Sequence, residues 1–265
     1  MQIDTLAYTN RLCRLPPTQK LGFALVLLII TYIAAMPIQL LILGWVSVWA
    51  VVYAQIPAGT YFRLLWLTAM FWFSSAPALI LNGVGMVDVA LVRSDSLGGL
   101  QWGDYYLYIS QHGLIQAGEL GVRTIATSAC VYLMLLTVPF VAMLDILRRL
   151  GCPTLLTELL FLMYRFIFIL LDTSRGLWIA QQARGGYRTW RLWIRSLALL
   201  ISQLLQRTLV NYQQVSLSLA ARGFNGEFRV WHSRSYQPSS RYTWEAAIGC
   251  TILVMLVGWM KIAKV

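Results

Sequence analysis

The apolar residues of this chain fall in long blocks. Residues 21–36 are almost all apolar, Pro37 interrupts them, and residues 38–54 are apolar again. These 34 residues exceed the roughly 20 that one crossing of a bilayer core requires. The pattern predicts a tight helical hairpin turning at Pro37. After the turn QIPAGT at 55–60, residues 61–81 form a third block, with Trp66 and Trp72 inside it and Pro77 near its end. Residues 121–140 form a fourth. Arg123 lies near its start, where a long cation either snorkels to the interface or faces protein. Residues 243–260 are the last block, and Trp244 and Trp259 at its two ends match an aromatic belt. Five spans place the termini on opposite sides.

The stretches between the blocks differ in kind. Residues 82–119 hold Gly83, Gly85, Gly98, Gly99 and Gly103 with Asp88, Asp95 and Asp104, and read as a long loop with short helical pieces. Their acids outnumber Arg93, as expected on the non-cytoplasmic side. Residues 155–184 read as one helix. Its 13-residue run 159–171, interrupted by Arg165, is short for a span. Glu158, Arg165, Asp172 and Arg175 share one face of it, and Asp172 with Arg175 reads as a surface pair. A second helix runs from about 192 to 222, roughly 45 Å at 1.5 Å per residue. Leu197, Leu200, Ile201, Leu204, Leu205, Leu209, Tyr212, Val215 and Leu219 recur at steps of three and four as one stripe. Arg195, Gln203, Gln206, Arg207, Asn211, Gln214 and Ser218 occupy the other face, so this helix is too polar to cross lipid. The expected fold is all-α: a polytopic helical membrane protein with about five transmembrane helices and a module of amphipathic helices. Its parts are a four-span membrane domain at 1–140, the amphipathic module at 141–242 and a final span at 243–265.

Charge gives this layout a direction. Apolar residues make up 58% of the chain and charged residues 12%, with a net charge of +11. Soluble domains carry about twice that charged fraction. Thirteen of the 21 basic residues lie in 141–243, against Asp145, Glu158, Asp172 and Glu227, a net +9 in one block. Basic residues beside hydrophobic spans follow the positive-inside bias, which argues for a lipid bilayer and against nucleic acid as the partner. Arg11, Arg14 and Lys20 then put the N-terminus in the cytoplasm, and the fourth span delivers the basic block there too. Lys261 and Lys264 end outside, a mild exception. Residues 1–20 are polar and mixed and offer no signal-peptide core, so insertion rests on the first span.

Most catalytic chemistry has no residues to carry it. Lys20, Lys261 and Lys264 are the only lysines and none follows glycine, so the chain has no P-loop. His112 and His232 are 120 residues apart, which excludes HExxH and disfavours a multi-histidine metal site. His112, in the outer loop, reads as a surface residue that an incoming metal ion would at most brush, and His232 as solvated loop. Cys13, Cys130, Cys152 and Cys250 form no CxxC pair and read as small apolar filler. No cofactor, metal site or catalytic residue is expected.

What stands out is a tripeptide. Ala183-Arg184-Gly185 and Ala221-Arg222-Gly223 each fall at the expected C-terminal end of one helix of the basic module. Glycine just past a helix end is the usual left-handed cap, and arginine in the last turn suits the helix dipole. Either copy alone is as readily a helix stop as a contact. Two copies 38 residues apart suggest two helix tips entering two equivalent grooves, each arginine pairing with a carboxylate.

These features resemble the transmembrane coupling (T) subunit of energy-coupling-factor transporters of the cobalt/nickel type, the CbiQ family. The resemblance is carried by the opening Ile3-Asp4-Thr5-Leu6-Ala7-Tyr8-Thr9-Asn10-Arg11, the Pro37-broken hairpin, the basic region and above all the two tripeptides. The second tripeptide continues as Phe224-Asn225-Gly226. The resemblance implies a non-catalytic subunit of an ATP-driven cobalt or nickel importer in a prokaryotic inner membrane. It implies that Ala183, Arg184, Gly185, Ala221, Arg222 and Gly223 dock into two cytosolic ABC-type ATPase subunits. It further implies that the helices pass ATPase motion to a separate substrate-binding (S) membrane subunit, contacted through their apolar stretches. A stand-alone secondary transporter or channel is the alternative, weakened by the absence of an inverted repeat. A membrane enzyme is weaker still, for want of catalytic motifs.

Overall fold

The computed structural model describes residues 2–85, 96–102, 105–223, 236 and 239–263. The fold is all-α in character and polytopic, with one small sheet. The helices are α1 (Gln2–Thr9), α2 (Pro17–Ile33), α3 (Met36–Val48), α4 (Ala58–Ile80), α5 (Gln111–Thr137), α6 (Phe140–Arg149), α7 (Thr154–Ala183), α8 (Trp190–Ala221) and α9 (Ser240–Ala263). The chain divides into two compact units, Met1–Ala142 with Arg234–Val265, and Met143–Ser233.

In the first unit α5 is the hub, packing against α1, α2, α3 and α4. Small residues make this possible. Gly113, Ala117 and Gly121 lie four apart on α5 and are buried, the spacing that lets membrane helices approach closely. A Cβ on Gly121 would lie 2.5 Å from the Trp72 ring of α4, and Trp72 Nε1 donates to the Ala117 carbonyl at 3.1 Å. On α9, a Cβ on Gly249 would collide with the Trp45 ring of α3. Below it Phe23, Trp49, Tyr53 and Tyr242 form a chain of ring contacts at 4.8 to 5.8 Å that ties α9 to α2 and α3.

Helix ends in lipid need partners for their last carbonyls, and this unit supplies them from distant side chains. Buried Lys20 donates from Nζ to the carbonyls of Leu12 (3.1 Å) and Thr137 (2.9 Å). Asn10 Nδ2 donates to the carbonyls of Ala7 and Leu136, both at 3.1 Å. The C-terminus of α5 is thus closed by the N-terminal segment. Lys20 serves as a buried cap at a helix C-terminus, beyond its expected part among the cations that orient the N-terminus. Buried Gln39 closes α2 in the same way, donating to Thr31 (3.2 Å) and Ala34 (2.9 Å).

Several expectations are corrected. The first two apolar blocks are separate helices, but the break falls at extended Ala34 and Ala35. Pro37 sits in the first turn of α3, where its missing N–H costs nothing. The hairpin itself is present, with Phe23 of α2 meeting Trp45 of α3 at 5.6 Å, and both helices also lean on α5. The expected loop at 82–119 contains a three-stranded antiparallel sheet, β1 (Leu81–Gly85), β2 (Ser96–Trp102) and β3 (Tyr105–Ser110), in the order β1-β3-β2. Its register shifts between Ser96 and Gly98. The fourth span begins at Gln111, ten residues early, because the Ser110 hydroxyl accepts from Gly113 N at 2.9 Å and caps the helix there.

Among the described residues five helices are long and apolar enough to cross a membrane: α4, α5, α7, α9, and α3 with its wide terminal turn Trp49–Tyr53. The 17-residue α2 is apolar but shorter. So the count of five stands while its membership changes. α7, expected to be too short in its apolar run, qualifies by length and composition, and 32-residue α8 is not among the five.

Candidate functional site: two helix tips

The second unit is built on α7 and α8, which pack on one another and are joined by residues 184–189. Both helices lie within a residue or two of their sequence-based limits. Each ends on the tripeptide. At the first tip Ala183 is the last residue of α7, Arg184 caps it at φ −89° and ψ 8°, and Gly185 turns left-handed at φ 71°. Gly186 N donates to the Gln181 carbonyl at 2.9 Å and Gly185 N to the Gln182 carbonyl at 3.0 Å. That pair of bonds is the Schellman closure, which needs a residue at ease in the left-handed region.

The second tip repeats the cap conformation and the left-handed glycine. Ala221 ends α8, Arg222 caps it at φ −93° and ψ 9°, and Gly223 follows at φ 68°. Gly223 N donates to the Ala220 carbonyl at 3.1 Å. Ala183, Arg184, Ala221, Arg222 and Gly223 are exposed, and Gly185 is half-buried. Both guanidinium groups therefore stand at helix ends open to a partner. Because the first tip leads directly into α8, that helix separates the two tips by about 48 Å along its axis at 1.5 Å per residue.

The first tip is braced and the sequence reading missed how. Ser196 Oγ, one turn into α8, donates to the Gly186 carbonyl at 2.8 Å. A Cβ on Gly186 would sit 2.6 Å from that hydroxyl oxygen, so the second glycine of Gly185-Gly186 is a packing requirement. Tyr187 donates its hydroxyl to Gln181 Oε1 at 2.7 Å and stacks on Trp178 at 4.3 Å. Trp190 and Trp193 stack at 5.2 Å beside it, with Trp190 73% exposed. The doubled glycine and the clustered aromatics were the available signals.

The stripe of α8 is only partly used. Its least exposed positions include Ser196, Leu197, Leu200, Leu204, Thr208, Asn211, Val215 and Leu219. Ile201, Leu205, Leu209 and Tyr212, on the flank of the expected apolar stripe, are all more than half exposed. Polar Gln203, Gln206, Arg207 and Asn211 line a cleft with Thr173 of α7 and Val210. An apolar flank is thus left open along α8, next to the tips.

Elsewhere, His112 lies exposed on the first turn of α5, its Nε2 3.0 Å from Gln116 Nε2. His232 and residues 224–226 lie outside the described residues. Among the described residues no three His, Cys, Asp or Glu side chains gather as metal ligands.

With its long apolar helices, the chain is a polytopic helical membrane protein. The chain belongs to the CbiQ family of cobalt transport proteins, whose model matches residues 9–231 and so includes both tips. The cobalt transport protein CbiQ of Salmonella typhimurium is 29% identical over 233 residues, covering 86% of this chain and 99% of that protein. A CbiQ of Rhodobacter capsulatus is 36% identical over 135 residues, 51% of this chain and 55% of that protein. A putative fused cobalt transport protein CbiMQ of Methanocorpusculum labreanum is 26% identical over 226 residues, 84% of this chain and 36% of that protein.

Proposed function

We propose that this chain is the transmembrane coupling subunit of an ATP-driven energy-coupling-factor importer for cobalt or nickel. Its two tips are plugs for two cytosolic ATPase subunits. The observation that carries this reading is the pair of exposed arginine caps with one backbone conformation, about 48 Å apart along α8. Two copies of one socket accept two copies of one plug. Arginine at each tip offers a planar fork to a carboxylate in the socket. Ala183 and Ala221 leave room for close approach, and the glycines end each helix at once.

On this reading ATP is bound and hydrolysed by the partner subunits, and nucleotide-driven movement of the sockets swings α7 and α8. The exposed apolar flank of α8 (Ile201, Leu205, Leu209, Tyr212) passes that movement to a substrate-binding membrane subunit. The Methanocorpusculum labreanum relative, of which this chain matches only 36%, carries a name that joins a second component to this one. A membrane partner fits that. The N-terminus and both tips face the cytoplasm, as the +9 block requires under the positive-inside bias. This orientation keeps α7 on the cytoplasmic side despite its length, and its exposed Arg165, Asp172 and Arg175 support that.

The test is the double replacement Arg184→Glu with Arg222→Glu in the complete transporter. Co-purification of the ATPase subunits should be lost while membrane insertion is unchanged, and each single replacement should lose part. Undiminished complex and transport in the double variant would sink the proposal.

A further inference from the structure

At the break between α2 and α3, extended Ala34 and Ala35 border a cavity of about 500 Å³. Residues 33–39 line it together with Glu119 and Arg123 of α5 and Val257 and Met260 of α9. The size lies in the range of small-ligand sites. Its place, at one end of the apolar helices, is the level of lipid headgroups.

Among the described residues, Glu119 and Arg123 are the charged ones on its lining. They lie one turn apart in the Glu-first order that ordinarily favours an i,i+4 ion pair. No ion pair joins them. Arg123 instead lies over the Tyr32 ring, 5.9 Å from its centroid. Its Nε is buried and has no hydrogen-bond partner, a costly state for a guanidinium N–H. The N–H groups of Ala35 and Met36 have no main-chain acceptor either, and they open α3, whose N-terminus favours an anion. Glu119 is exposed and unpaired. Both charged residues line the cavity, which therefore offers an anion the rest of the Arg123 guanidinium, whose Nε is sealed from solvent, and offers a cation the Glu119 carboxylate one turn along α5.

We infer that this cavity binds the headgroup of phosphatidylethanolamine. The phosphodiester sits on Arg123 and the first amides of α3, and the ammonium donates to Glu119. Phosphatidylcholine carries the same phosphate, but its quaternary ammonium has no N–H to give Glu119. Phosphatidylglycerol has hydroxyls in place of the cation, so Glu119 would gain a neutral hydrogen bond but no ion pair. The inference rests on the chain lying in a bilayer and is independent of what the two tips bind.

Native mass spectrometry of the purified full chain tests it, with added phosphatidylethanolamine, phosphatidylcholine and phosphatidylglycerol of matched acyl chains. One phosphatidylethanolamine should be retained about tenfold more strongly than the other two, roughly 1.4 kcal/mol. Glu119→Gln, at an exposed position, should abolish the preference over phosphatidylcholine. Arg123→Gln should weaken all three lipids, and Arg123→Lys should fall between, having charge without the fork. Equal retention of the three lipids by the unaltered chain, or an unchanged preference in Glu119→Gln, overturns the inference. So does a variant Arg123→Gln that loses a partner membrane subunit with no change in lipid retention, which would assign the guanidinium to a protein carboxylate. Should Arg123→Gln fail to fold, the Glu119→Gln comparison decides alone.

Discussion

Arg184 and Arg222 close two different helices in one backbone state, φ −89° and ψ 8° against φ −93° and ψ 9°, each followed by a left-handed glycine. With matching backbones the two Cα–Cβ bonds leave their own helix ends alike. The surroundings differ: the first tip is tied to α8 through Ser196 and Gly186, whereas a Cβ on Gly223 would meet nothing within 4 Å.

That difference separates conformation from packing in a mutational test. Gly223→Ala adds a methyl group that meets none of the described residues within 4 Å, so the cost expected is that of a left-handed alanine, about 1–2 kcal/mol. Hydrogen exchange should speed up in the last turn of α8, and Gly223→Asn should restore part of the protection. At Gly186, replacement by alanine should be worse than at Gly223, because the new Cβ meets Ser196. Equal protection in all variants would contradict the cap assignment.

Closure of α5 by the N-terminal segment predicts a long-range stability effect. Lys20→Met removes a charged donor from the buried carbonyls of Leu12 and Thr137. The expected loss is about 1.5–3 kcal/mol, read as a lower unfolding midpoint in detergent. Asn10→Ala should cost less, and the two losses should not add, since both side chains serve the same helix end. An unchanged midpoint in Lys20→Met would refute this role.

Packing of α4 on α5 depends on Gly121. Gly121→Leu drives a side chain into the Trp72 ring and should destabilise the chain by about 1–3 kcal/mol. Adding Trp72→Ala should return part of that stability. Failure of the second replacement to help would show that the damage lies elsewhere.

The side of the membrane on which the tips lie is open to direct labelling. With the four native cysteines replaced by serine or alanine, single cysteines at exposed Gln182 and Gln214 should react with an impermeant thiol reagent only when the cytoplasmic face is accessible. Labelling of Gln182→Cys from the opposite face would mean that α7 crosses the bilayer, and the coupling reading would fail.

How legible these features were in the sequence depended on the local signal. The ends of α7 and α8 were readable because glycine at a left-handed cap leaves few alternatives, and the stripe of α8 fixed its length. The sheet was not readable from β1 and β2, whose glycines at 83, 85, 98 and 99 look like loop; their pairing comes from the ladder with β3. The run Tyr105-Tyr106-Leu107-Tyr108-Ile109 did carry a strand signal. The break between α2 and α3 was misplaced because proline suggests a stop, whereas in a first helical turn it suits a start. The role of Lys20 was hidden because its partner, Thr137, lies 117 residues away. Of the pocket-lining pair, Arg123 read as a span-end cation that either snorkels or faces protein and Glu119 only as the end of the loop at 82–119, and packing brings residues 33–39 beside them.

The central claim, one socket per tip, is tested most directly by photo-crosslinking. A photoreactive amino acid replaces Gln182 or Ala220, both exposed and adjacent to the tips, with Arg184 and Arg222 left intact in the assembled transporter. Each position alone should give an adduct with one ATPase subunit, and the two together should give a single species carrying two ATPase subunits. Adducts to other proteins only, or both positions reacting with a single ATPase subunit, would contradict the account.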